Sequence, residues 1–369
     1  MDLTAVHVQC PIDAIDVQAY TIPTQSPESD GTLEWDATTL VYVEVQAGGQ
    51  TGIGYTYADV ATAKLIQTML RNRLLGKDAM QIGARWNDMG NVTRNLGRDG
   101  ITSMAISAID VALWDLKGKI LDQPVYALIG AARERVPIYG SGGFTSYALE
   151  QLCAQLHGWV ADGIPRVKMK VGREPEEDPE RVAAARGAIG DGPDLFVDAN
   201  GAYSRKQALG LARRFADQRV IWFEEPIFRE DYEGTRLIRD AAPAGMDISI
   251  GEYGYGLYEF ARMLDAQCVD VLQADATRCG GFSGLLAVDG LCQTKMMPLS
   301  THCAPHLHLH AALACKQIRH IEYFFDHVRI EKMLFEGAME PVDGTLAADP
   351  SRPGIGLEFK RADAQRYLV

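Results

Sequence analysis

The run PRVKMKV at 165–171 decides the fold: it is an apolar stretch that ends on charged residues, and its shape recurs down the chain. DLFVDAN (194–200) ends on Asp198 and Asn200, VIWFEEP (220–226) on Glu224 and Glu225, and DISIGE (247–252) on Glu252. VDVLQAD (269–275), MPLSTH (297–302) and HIEYF (320–324) bring Asp275, His302 and Glu322. From Lys170 onward the steps are 28, 26, 28, 23, 27 and 20 residues, the length of one strand plus one helix. VPIYGS (136–141) supplies a first strand and makes eight. Helices are predicted between them at 146–161, 177–189, 204–217, 231–241, 256–265, 281–294 and 305–315. Ionisable residues closing successive parallel strands place an active site on the C-terminal face of a (β/α)8 barrel, an α/β fold of the TIM-barrel type. A doubly wound sheet is the alternative, but no glycine-rich dinucleotide fingerprint follows a first strand.

Upstream the pattern is different. Residues 3–20 and 38–47 read as strands rich in β-branched residues, with TIPTQSPESDGTLEWD (21–36) as a proline-containing loop between them. Gly52 to Tyr57 reads as a second loop. From 59 to about 125 the pattern is helical, with Ala108, Val111, Ala112 and Leu116 at the spacing of a buried stripe. The opening half is therefore α+β. The tail from about 341 is rich in Pro and Gly, ends in a strand-like GLEF, and is expected to leave the barrel and dock elsewhere.

Composition narrows the function. The chain has 369 residues, 47% of them apolar and 23% charged, as in an ordinary globular protein of two domains. A net charge of −13 argues against nucleic acid or an anionic membrane as partner. An anionic small molecule stays compatible, because a metal and local lysines reverse the field inside one cleft. Seven cysteines without a CxxC pair point to reduced thiols and a cytoplasmic protein. Cys279 and Cys303 lie near strand ends and read as small core hydrophobes. No apolar stretch reaches the ~20 residues of a membrane span, and the first ten residues lack the pattern of a signal peptide.

The chemistry follows from which residues share a face. Lys168 and Lys170 are two apart on one strand, so both point into the barrel mouth. Each is expected to depress the other's pKa, which makes a usable base. Asp198, Glu224 and Glu252 sit one strand apart and would repel one another without a hard dication; Mg2+ suits three oxygen donors. Glu225 is expected to face away, although the order of the two glutamates is open. Asn200 shares the face of Asp198. Asp275 and His302 lie on adjacent strands, where the carboxylate fixes the imidazole tautomer. Glu322 is placed to hydrogen-bond a developing oxyanion if it is held protonated. Arg278 is within reach of a ligand. Gly280-Gly281 is a weak candidate for a phosphate cradle. His306, His308 and His310 lack a metal-site pattern and are assigned structural roles.

Taken together, K-x-K (Lys168, Lys170), D-x-N (Asp198, Asn200), E-E-P (Glu224 to Pro226), G-E (Gly251, Glu252), Asp275, S-x-H (Ser300, His302) and Glu322 resemble the enolase superfamily. Within it they resemble the mandelate racemase subgroup, and Ala105 to Asp115 looks like that family's helix leading into the barrel. The resemblance covers nearly the whole chain. It implies a modified barrel (131–340) under an α+β capping domain (1–130), to which a C-terminal segment (341–369) returns. It implies Mg2+ on Asp198, Glu224 and Glu252, Lys170 as base with Lys168 as electrostatic partner, and the His302–Asp275 pair as a second acid/base. Two capping loops would close the site, at 20–36 and 52–60, bringing Trp35 and Tyr55 to the substrate.

The expected reaction is removal of the proton α to a carboxylate. If His302 then protonates a leaving β-hydroxyl, the protein is a dehydratase of a sugar acid such as an aldonate or aldarate. If His302 reprotonates the α-carbon, it is a racemase or epimerase. The hydroxyls of Thr21, Thr24 and Ser26 with Gln25 favour the first. A non-catalytic ligand-binding barrel is the reading from another class; the intact set of site residues argues against it. A small-molecule carboxylate is the expected partner, and a homo-oligomer the expected assembly.

Overall fold

The computed structural model describes residues 9–369. The first eight residues of the chain, and with them the start of the strand expected at 3–20, lie outside the described residues. Strands β1 (Ile12–Ser29), β2 (Glu34–Ala47) and β3 (Gln50–Tyr57) form an antiparallel sheet in that order. Two sequence expectations are corrected here. Most of the loop expected at 21–36 is strand: β1 runs on through Pro23 and Pro27, and only four residues turn the hairpin before β2. The prolines are tolerated because β1 is the sheet edge and its register slips between Pro23 and Glu28. The loop expected from Gly52 is β3, paired with β2 from Leu40↔Tyr57 to Ala47↔Gln50.

The glycines that suggested a loop serve a close approach. The helix Ile101–Ile120 lies on β2 and β3, with Ala108, Val111, Ala112 and Leu116 buried. A Cβ on Gly52 would stand 2.2 Å from the Ala112 carbonyl oxygen, and one on Gly54 2.1 Å from that of Ala108. Neither position has room for a side chain.

From Val136 the chain alternates. β4 (Val136–Gly142), β5 (Arg166–Lys170), β6 (Asp194–Asp198), β7 (Val220–Glu224), β8 (Asp247–Ile250), β9 (Val271–Ala274), β10 (Leu299–Thr301) and β11 (Ile318–Phe324) pair in parallel with their neighbours. β11 also pairs with β4, from Ile321↔Ile138 to Phe324↔Ser141, and this closes the barrel. Closure rules out the doubly wound alternative. Helices at Leu149–Ala161, Asp178–Ile189, Arg205–Ala216, Tyr232–Ala241, Leu257–Ala266, Gly281–Lys295 and Pro305–Ala314 cover the outside. Val167 and Met169 pack toward the helices, and the residues between them face the lumen. Tyr139, Phe196, Trp222 and His320 fill the lumen below the mouth, with Phe196 and Trp222 stacked at 5.3 Å. The lower barrel is thus a packed floor for the site above it.

The tail touches both halves. β12 (Phe335–Glu336) pairs with β14 (Glu358–Phe359), and β13 (Thr345–Leu346) adds antiparallel to β4. Ile355 and Leu357 are buried, the Ile355 N–H donates to Asp115 at 2.7 Å, and Phe359 stacks on Tyr42 at 4.0 Å. The Val369 N–H donates to the Ala19 carbonyl at 3.1 Å. Among the described residues no helix is long and apolar enough to cross a membrane.

Candidate active site

β6, β7 and the turn after β8 carry Asp198, Glu224 and Glu252, and one carboxylate oxygen of each lies within 4.8 Å of the others. All three residues are buried. Strand register sets Asp198 directly opposite Glu224, and strained backbone follows each of the strand ends. Asn200 and Glu225, just past their strands, have φ of +44° and +39°, and Gly251 has φ of +136°. A Cβ on Gly251 would meet the Gln273 carbonyl at 2.1 Å, so glycine is required where the chain presents Glu252. Left-handed non-glycine residues cost ~1–3 kcal/mol each, and such strain gathers at functional sites.

Two lysines reach into this cluster from β5. Lys168 Nζ stands 2.5 Å from Glu224, 2.8 Å from Glu322 and 3.6 Å from Asp198. Lys170 Nζ stands 2.5 Å from Asp198 Oδ2. Lys168 does push Lys170 down, as expected, but the expected net result, a depressed lysine, is overturned. Burial does push both down, but Glu224 and Glu322 around Lys168, and Asp198 beside Lys170, outweigh it and hold both ammonium groups well above the usual lysine range. The carboxylates divide. Burial raises Asp198, but Lys170 and Lys168 bring it below the usual range, whereas burial and the charge of Asp198 leave Glu224 well above it. The Trp222 indole N–H donates to Glu224 at 2.9 Å and fixes its second oxygen. Glu252 Oε2 is buried with no hydrogen-bond partner. Three hard oxygen donors with surplus repulsion and an orphaned atom fit a divalent cation such as Mg2+.

Across the mouth, His302 Nδ1 lies 2.8 Å from Asp275 Oδ2. Nε2 then points to the cluster, 3.6 Å from Glu252 and 4.0 Å from Glu322. Glu322 accepts from the Ser141 hydroxyl at 2.6 Å, the Cys303 N–H at 2.7 Å and Lys168 at 2.8 Å. Burial raises it, but Lys168 and His302 hold it well below the usual carboxylate range. The condition set for Glu322 as a donor, a protonated carboxyl, is not favoured: three donors already point at it and its proton affinity is lowered. Its place between Lys168 and His302 makes it an electrostatic link across the mouth.

Arg278 lies over the Tyr253 ring at 5.0 Å, 3.6 Å from Asp275 and 3.7 Å from Glu252. Asn200 donates its backbone N–H to Asp198 at 2.9 Å and keeps a buried, unpartnered Oδ1. Trp35 sits on the hairpin, its indole N–H bonded to Glu28 at 3.0 Å and its ring edge-on to Phe144. Tyr55 is not brought to the site. It is fully buried in the cap, donates to Glu331 at 2.6 Å and stacks on Phe335, because β3 turns it toward the tail. Both segments expected to close the site reach the barrel, as hairpin and strand rather than as loops. In 20–36 the hairpin tip does so: Ser29 and Thr145 hydroxyls are 2.6 Å apart, and a Cβ on Gly31 would stand 2.5 Å from the Ala199 carbonyl. In 52–60 the Thr56 hydroxyl donates to the Thr277 carbonyl at 2.8 Å. Thr21, one of the hydroxyls expected to favour a sugar, is spent on Thr39 at 2.9 Å.

Several neighbours escaped the sequence reading. Glu225, expected to face away, is buried and held well above its usual range by burial and by Glu252 and Asp198; the left-handed turn swings it to the cluster. His308, whose Nε2 accepts from the Ala276 N–H at 2.7 Å, stands 3.5 Å from Asp275. Cys303 Sγ is 3.2 Å from His302 Nε2. The histidine run has separate partners: His306 bonds Glu331 at 2.5 Å and His310 accepts from Tyr126 at 3.3 Å. Gly280 carries the N-terminus of a helix against the capping domain, accepting from the Trp86 indole and donating to Ser107.

The same order of residues and architecture is found in known proteins. Residues 16–130 match the mandelate racemase / muconate lactonizing enzyme N-terminal domain, and residues 151–364 the enolase C-terminal domain-like family. The chain belongs to the mandelate racemase / muconate lactonizing enzyme family of the enolase superfamily. It is 33% identical to a 3,6-anhydro-α-L-galactonate cycloisomerase of Streptomyces coelicolor over 95% of this chain and 98% of that one. A mandelate racemase/muconate lactonizing enzyme-like protein from Rubrobacter xylanophilus superposes with a TM-score of 0.95 at 51% identity, over 97% of this chain and 100% of that one. An L-talarate/galactarate dehydratase from Salmonella typhimurium, solved with Mg and L-lyxarohydroxamate, superposes at 0.91 with 28% identity, over 100% of this chain and 95% of that one. Family relatives thus include both lyases and isomerases, and this chain is an enzyme of that kind.

Proposed function

We propose that the protein is a Mg2+-dependent dehydratase of a sugar acid. The observation that carries this is the placement of Lys170 and His302 on opposite sides of one buried carboxylate cluster. When bound by Asp198, Glu224 and Glu252, Mg2+ supplies Lewis-acid polarisation of the substrate carboxylate. Lys170 Nζ takes the α-proton once Asp198 is engaged elsewhere and no longer holds the ammonium. The Lys168 ammonium, fixed by Glu322, meets the negative charge that builds on the substrate carboxylate. His302 Nε2, with Nδ1–H given to Asp275, donates its proton to the departing β-hydroxyl, which leaves as water. The enol that remains tautomerises to a 2-keto-3-deoxy acid. Arg278 and Asn200 are placed for the ligand's polar groups, and Trp35, on the hairpin behind Glu28, for closing over it.

A second reading, an isomerase, is favoured by the cycloisomerase relative. There His302 delivers its proton to carbon rather than to a leaving oxygen. A panel of aldonates and aldarates incubated with Mg2+ separates the two. The dehydratase yields a new ketone, read as semicarbazone absorbance, and its product is lighter than the substrate by one water. Conversion without loss of water, or none with any member of the panel, overturns the dehydratase reading.

A further inference from the structure

We propose that His302, Cys303 and Glu322 form a second metal site, selective for a thiophilic cation such as Zn2+, which blocks the acid/base face of the barrel mouth when filled. The ligand atoms of these three buried residues lie within 4.8 Å of one another. Cys303 Sγ is 3.2 Å and Glu322 Oε2 4.0 Å from His302 Nε2. These separations bracket the edge of a zinc tetrahedron, about 3.5 Å for bonds of about 2.0 Å to nitrogen and 2.3 Å to sulfur.

The imidazole is already prepared as a ligand. His302 Nδ1 is bonded to Asp275, so Nε2 presents its lone pair, as in a carboxylate–histidine–zinc arrangement. The backbone also presents the cysteine: φ of +51° at Cys303 and +37° at Ala304 folds the chain back after β10, and the Cys303 N–H ties that turn to Glu322. Sulfur is the deciding donor. The all-oxygen cluster of Asp198, Glu224 and Glu252 suits Mg2+, whereas a nitrogen–sulfur–oxygen set favours Zn2+. On binding, the S–Zn bond forms as the thiol proton leaves to solvent. His302 Nε2, once ligated, has no lone pair to receive a proton and none to deliver.

The test uses Mg2+-saturated protein, so that the oxygen cluster is filled. Co2+ added to it is expected to produce a thiolate-to-cobalt charge-transfer band, which Zn2+ displaces. The band should vanish in Cys303→Ser and persist in Cys279→Ser, with both variants folded by circular dichroism. Zn2+ should inhibit turnover of the wild type, and Cys303→Ser should need at least ~10-fold more Zn2+ for half-inhibition, since loss of even an indirect metal contact costs 10–100-fold in affinity. X-ray absorption on zinc-loaded wild-type protein needs no variant and is expected to show one sulfur at about 2.3 Å. An all-oxygen or nitrogen–oxygen shell, a band that survives Cys303→Ser, or equal Zn2+ sensitivity of the two proteins overturns the proposal. None of the spectroscopic outcomes depends on which sugar acid is turned over.

Discussion

His302 Nδ1 and Asp275 Oδ2 are 2.8 Å apart, and this one contact sets which nitrogen faces the barrel mouth. A carboxylate at position 275 accepts the Nδ1 proton. An amide in its place can offer its NH2 instead and stabilise the opposite tautomer. Asp275→Asn is therefore expected to lower turnover on the order of 10²–10⁴-fold while the protein stays folded. Steady-state kinetics with circular dichroism checks it; a loss below tenfold would show that the tautomer is set by something else.

The strand-end residues were legible because a strand alternates faces and a barrel repeats its unit. Once PRVKMKV is a strand, Lys168 and Lys170 must share the lumen. The capping domain was less legible. Gly52 and Gly54 look like loop residues, but their role is the close approach of the helix Ile101–Ile120, which no local pattern encodes. Tyr55 followed that error away from the mouth. Lysine protonation was misjudged because the sequence shows Lys168 beside Lys170 but not the carboxylates that arrive from other strands. Glu225 and Cys303 were missed for one reason: both follow a strand through a left-handed residue, which breaks the alternation used to assign faces.

Mg2+ should stabilise the fold as well as serve catalysis, because it relieves the repulsion among Asp198, Glu224 and Glu252. At 100 times its dissociation constant a ligand contributes about 2.7 kcal/mol. The thermal midpoint is expected to rise with added Mg2+, and Glu224→Gln to blunt that rise. Exhaustive chelation should abolish turnover, and Mg2+ should restore it. Turnover that survives chelation would remove the metal from the account.

Gly54→Ala tests the packing of the cap. Its Cβ would enter the space of the Ala108 carbonyl, so sheet and helix must separate. A loss of about 1–3 kcal/mol is expected, as for other over-packed positions. Chemical denaturation measures it, and an unchanged midpoint would contradict the close approach.

Acid should unfold the protein through its buried histidines. His310 is depressed by burial from 6.5 to about 4, and His308, His320 and His327 are also lowered, chiefly by burial. Between those values the unfolded chain binds the proton and the folded one does not. The stability contribution is thus complete above pH 6.5 and is lost as pH falls toward 4, about 3 kcal/mol for His310 alone. His310→Asn should make the denaturation midpoint less sensitive to pH in this window; an unchanged slope would show that His310 is not a source of the proton uptake.

The division of labour between Lys170 and His302 is tested most directly by solvent exchange in D2O, with a sugar acid that the protein turns over. Lys170→Ala is expected to abolish both turnover and deuterium uptake at the α-carbon. His302→Asn is expected to abolish loss of water yet leave α-proton exchange in place, because it removes only the later proton transfer. Exchange that persists in Lys170→Ala, with dehydration intact in His302→Asn, would contradict the assignment of base and acid.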